Sequence, residues 1–90
     1  MKKFLIEREV PGASNLTPEE IKAIAQTSNA VLDEMDVPYH WVQSFVAGDK
    51  IYCVHVAEDA ETVREHARRG GFPANVVSEV KAIFDPTTAF

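Results

Sequence analysis

Apolar and polar positions alternate most regularly between Tyr39 and Ala57, where two runs of β-branched and aromatic residues flank Gly48-Asp49. A period of two with a glycine-containing dipeptide at its centre predicts a β-hairpin with a two-residue turn. Ala47 then lies opposite Lys50, Phe45 opposite Tyr52, Ser44 opposite Cys53 and Val42 opposite His55. One face of the hairpin carries Trp41, Phe45, Tyr52, Val54 and Val56, and its composition suits a face covered by helices. The other carries His40, Val42, Ser44, Val46, Ile51, Cys53 and His55. Lys3 to Val10 alternates in the same way and predicts a strand ending at Pro11-Gly12. Its set Phe4, Ile6, Arg8 and Val10 is matched to the aromatic hairpin face, which leaves Glu7 and Glu9 on the polar one.

The period changes to that of a helix after Thr17-Pro18-Glu19-Glu20. There Thr17 is placed to cap, Pro18 to occupy the first helical position and Glu20 to complete a capping box. Ile21, Ile24, Ala25, Ser28, Val31, Leu32 and Met35 form one stripe, read as core, and Asp36-Val37-Pro38 ends the helix. Asp59 is positioned to cap a second helix over Ala60–Arg69, which Gly70 is expected to stop. Phe72 is expected to tuck into a gap, and Val76 to Phe84 reads as a last strand before a tail over residues 85–90.

The order β-α-β-β-α-β predicts an α+β fold of the ferredoxin-like kind over residues 1–90 as a single domain, a four-stranded antiparallel sheet with two helices on one face. The name implies no iron-sulfur cluster, which would need several cysteines. Two helices cover one sheet face only, so the other is expected to pack on a second copy in a homodimer.

Ninety residues with a net charge of -5 and an isoelectric point near 5.0 offer no basic stripe for nucleic acid. One cysteine suits a reducing compartment, and the apolar run near Met1 is too short for a membrane span. A cytoplasmic protein without a nucleic-acid or membrane partner is expected.

Candidate chemistry gathers on the polar sheet face. Glu7, His40, Cys53 and His55, with His66 on the second helix as a separate candidate, are the imidazole, carboxylate and thiol groups that suit a borderline divalent ion. No compact ligand motif is present, so ligands would have to converge from separate strands. Ser44 or Cys53 beside His55 could be arranged as a nucleophile and base, but no strained turn or oxyanion hole accompanies them, and the reading leans away from an enzyme. The helices are expected to shield His66 from His55.

The stretches Phe4–Gly12, Trp41–Val46, Asp49–Val54, Arg64–Ala67 with Gly71–Ala74, and Glu79-Val80 with Asp85–Thr88 together resemble a family of small bacterial proteins, long treated as a domain of unknown function, whose described members bind nickel. The resemblance implies a ferredoxin-like homodimer with nickel ions at its surface and a role in nickel sequestration or detoxification. The alternative is a small enzyme or small-molecule-binding domain of the dimeric α+β barrel type, with a pocket between sheet and helices; a roomy cavity holding Glu7 or His66 would favour it.

Overall fold

A computed structural model describes all residues from Met1 to Phe90. Strands β1 (Lys2–Glu9), β2 (Tyr39–Ala47), β3 (Lys50–Ala57) and β4 (Val76–Glu79), with helices α1 (Pro18–Met35) and α2 (Ala60–Gly70), follow in the predicted order. The strands form one antiparallel sheet in the order β2-β3-β1-β4, and both helices lie on one side of it. This is the ferredoxin-like arrangement.

Local chemistry sets the element ends. Thr17 Oγ1 accepts from the Glu20 backbone N–H while Glu20 Oε1 accepts from the Thr17 N–H, a complete capping box at the start of α1. Asp59 caps α2 by accepting from Thr62 N at 2.8 Å. The left-handed residue that ends α2 is Gly71, with φ 70°, one position beyond the expected stop. Gly70 has a different duty: a methyl group there would run into the Phe72 ring. Strand β4 is four residues long rather than nine. Its partner β1 begins at Lys2, so after Phe4↔Glu79 only Val80 N→Lys3 O at 2.8 Å extends the pairing before the chain leaves the sheet.

The hairpin turns at Gly48-Asp49 and keeps the expected register from Ala47↔Lys50 to Ser44↔Cys53. A bulge at Val42 then shifts it, so that Trp41, not Val42, opposes His55. The bulge adds one residue to β2 and moves Trp41 to the face of Ser44.

The expected assignment of faces is reversed on β3. Phe4 pairs with His55, Ile6 with Cys53 and Arg8 with Ile51, and directly opposed residues share a face. Phe4, Ile6, Arg8, Cys53, His55 and Ala57 are therefore the buried, helix-covered set, with Ser44 beside Cys53. Tyr52, Val54, Val56, Phe45 and Leu5 point to the open side. The reason is steric. Ala57 and Val63 are 0 % exposed and Ala67 is 3 %, so α2 approaches the sheet closely over small residues, where Tyr52 or Val54 would hold it off. Glu7, Glu9 and His40 do lie on the open face, whereas Glu79 is on the helix side.

The core is thin: 12 of 90 residues are buried, and only Phe4, Ile6, Cys53, Ala57 and Val63 among them form the hydrophobic core cluster. In α1 only Ser28 and Val31 are buried. The N-terminal half of its apolar stripe, with Ile21 and Ile24 partly exposed, stands away from the sheet and roofs a cavity instead of filling a core.

Candidate functional site

The bulge on β2, the small residues of β3 and the Gly70 gap on α2 together bring the ionisable side chains of the helix side into one cluster. Tyr39 Oη is hydrogen-bonded to His55 Nδ1. The His55 ring meets the His66 ring edge to face, with centroids 5.3 Å apart, and His66 in turn lies 5.8 Å from Phe72. The expectation that helices separate His55 from His66 is thus corrected. Because β3 turns His55 toward the helices, α2 presents His66 to it. His66 Nε2 lies 3.1 Å from Ser28 Oγ and 3.4 Å from the Ser28 carbonyl oxygen. That carbonyl can only accept, so the proton is assigned to Nε2. Nδ1 is left as a buried acceptor without a partner.

Arg8 completes the cluster. Its side chain donates from Nε to Cys53 Sγ at 3.3 Å and from Nη1 to the Pro73 carbonyl at 2.5 Å, and its guanidinium lies over the Phe72 ring at 5.6 Å. Arg8 is 5 % exposed, yet it takes part in no ion pair. Ser44 Oγ also donates to Cys53 Sγ, at 3.0 Å, and accepts from Trp41 Nε1 at 2.9 Å.

Burial, then the neighbouring His66 and Arg8, pushes His55 down from 6.5 to about 3. His66 is lowered as well, chiefly by burial, with the Ser28 backbone opposing and Arg8 adding to the effect. Burial raises the Tyr39 hydroxyl, against the pull of Arg8. At neutral pH both imidazoles and the phenol are uncharged, and Arg8 is the one fixed charge among them.

The five candidate metal ligands do not form one site. Cys53, His55 and His66 lie on the helix side, Glu7 and His40 on the open face. No three His, Cys, Asp or Glu side chains converge as a metal-holding group. Nor does the buried trio fit a divalent cation. Arg8 donates to the sulfur such an ion would need, and its positive charge opposes another cation in a weakly screened setting. On the open face Glu7 has Lys50 Nζ at 3.9 Å, and His40 is exposed.

Sequence reasoning passed over Arg8, Tyr39 and Ser28 as site residues. Two carried a signal. Arg8 continues the buried alternation Phe4, Ile6, and Ser28 lies in the apolar stripe of α1; a polar residue in phase with core positions is placed to meet a partner inside.

Between this cluster and α1 lies a half-open cavity of about 240 Å³, lined by Arg8, Cys53, His55 and His66 on one side and by Ile21 and Ile24 on the other. No helix is long and apolar enough to cross a membrane.

No curated protein sequence matches the chain significantly. Among solved structures, the crystal structure of SCO4226 from Streptomyces coelicolor A3(2) is similar, with a TM-score of 0.76 and 26 % identity over 91 % of this chain and 99 % of that one. Residues 4–80, which hold both helices and all of the sheet except the first two residues of β1, match the family described as nickel responsive protein, SCO4226-like, and the chain belongs to that family.

Proposed function

We propose that this chain is a cytoplasmic nickel-binding protein that sequesters the ion as a homodimer. The observation that carries the reading is membership of a nickel-responsive family across residues 4–80. Nickel accepts imidazole nitrogen and carboxylate oxygen, and the donors open to an incoming ion are His40 and Glu7 on the uncovered sheet face, not the buried trio. His40 is level with Val56 on β3 and Glu7 with Tyr52. Ideal strand spacings put them roughly 16 Å apart, too far to share an ion within one chain. An isologous dimer, in which each copy's patch meets the same patch on its partner, lets His40 of one copy approach Glu7 of the other.

The same face supports dimerisation. Leu5, Tyr52, Val54, Val56 and Phe45, the last 48 % exposed, make an apolar surface that a monomer would leave in water. A fold with only 12 buried residues gains stability by covering it.

Calorimetric nickel titration of wild type, His40→Ala, Glu7→Gln and Cys53→Ala, repeated with zinc and paired with light scattering, tests the reading. We expect a dimer with a micromolar nickel site that is lost in His40→Ala, weakened in Glu7→Gln and retained in Cys53→Ala. A site that survives loss of His40 and Glu7, or heat only from adventitious millimolar binding, overturns it.

A further inference from the structure

We propose that the cavity between α1 and the sheet is a binding site for a small organic anion, an apolar body ending in a carboxylate, with Arg8 as its counter-charge. This site is separate from the open face to which nickel is assigned.

Three observations meet here. The first is the cavity, about 240 Å³. A cavity of ~150 Å³ takes a benzene ring, so this one suits roughly ten non-hydrogen atoms. Its walls away from Arg8 are apolar: Leu16, Ile21 and Ile24 from the α1 side, Trp41, Val46 and Ile51 from the sheet.

The second is the charge. Arg8 is 5 % exposed without an ion pair, and burying an unpaired cation is costly. Two of its nitrogens are held by Cys53 Sγ and the Pro73 carbonyl, and the guanidinium lies over the Phe72 ring. Nη2 has no hydrogen-bond partner in the protein and remains available to a ligand oxygen. A guanidinium oriented in this way is preorganised for a carboxylate. Among the other groups facing it, His55, His66, Ser44 and Trp41 supply no negative charge, and no carboxylate pairs with it.

The third is His66, 1 % exposed, whose Nδ1 lone pair has no donor. A buried acceptor left open beside a cavity is satisfied when a ligand hydroxyl or an ordered water enters. The apolar cavity and the unbalanced charge are both expensive in an empty protein, and one occupant of the stated chemistry relieves the two together; a carboxylate has no proton to donate, so His66 Nδ1 is left to a water or to a ligand that also carries a hydroxyl.

Trp41 is the chain's one tryptophan and lines the cavity, so its fluorescence reports occupancy. The probes are 3-phenylpropionate, its neutral analogue 3-phenylpropan-1-ol, and acetate, which lacks the apolar body. Each is titrated into the full chain in the presence of EDTA, so that nickel plays no part. We expect saturable binding of 3-phenylpropionate, about tenfold or more tighter than the alcohol, as a charge-assisted bond requires, and no saturation with acetate. Arg8→Met should bring acid and alcohol within about twofold of each other. Ala25→Leu, which fills the cavity from α1 without touching the charge, should weaken both and keeps the test decisive if Arg8→Met does not fold. Equal affinity for acid and alcohol in the wild type, or no saturable change with either at millimolar concentrations, overturns the proposal.

Discussion

Mild acid should destabilise this fold through His55. The ring is 1 % exposed, held between Tyr39 and His66, and lowered from 6.5 to about 3. A folded-state pKa below the unfolded value means that the native state favours the neutral ring while the unfolded state takes up a proton. The contribution is therefore complete above pH 6.5 and is lost as pH falls from 6.5 toward 3. Each pH unit in that window costs about 1.4 kcal/mol. Between pH 7 and pH 5 the loss from His55 alone comes to about 2 kcal/mol, a large share of the ~5–15 kcal/mol by which a domain is stable. The perturbation is His55→Asn, which keeps a polar atom near the Nδ1 position for Tyr39 and cannot titrate. Urea unfolding followed by Trp41 fluorescence at both pH values, at one protein concentration with chelator present, gives the four stabilities needed. The wild type should lose about 2 kcal/mol more than the variant on going to pH 5. Equal losses in the two proteins would show that His55 is not held neutral by burial, and would refute the reasoning.

Gly70→Ala should destabilise by about 1–3 kcal/mol, because the added methyl group meets the Phe72 ring that supports both His66 and Arg8. A lowered thermal midpoint checks it, and an unchanged midpoint would mean that Phe72 moves aside freely. Thr17→Ala removes the acceptor for Glu20 N and half of the capping box. A loss of about 1 kcal/mol is expected in chemical denaturation; no loss would show that the start of α1 is frayed in the native protein.

The elements of this fold were written locally. The capping box at Thr17-Glu20, the Asp59 cap, the Gly48-Asp49 turn and the switch between periods of two and 3.6 each depend on residues within a few positions of one another. The order of elements then determined a ferredoxin-like sheet. Candidate chemistry was legible as residue types: His55, His66 and Cys53 were singled out, and Arg8 already stood in phase with Phe4 and Ile6.

Which side of β3 faces the helices depended on partners distant in sequence. Hydrophobicity alone favoured Tyr52, Val54 and Val56 for the interior, because a strand's alternation names two faces without saying which a helix covers. Pairing of Phe4 with His55 and Ile6 with Cys53, and the close approach of α2 over Ala57, made the opposite choice. The bulge at Val42 is a matter of fit between two strands, and so is the position of Trp41 that follows from it. Once β3 faced inward with Cys53 and His55, the one buried cation, the paired imidazoles and the gap beneath α1 came together. The sequence by itself determined the elements and their order; the assembled cavity is a tertiary fact, because Arg8, His55 and His66 are brought onto one cavity wall by strand pairing and helix docking, not by proximity along the chain.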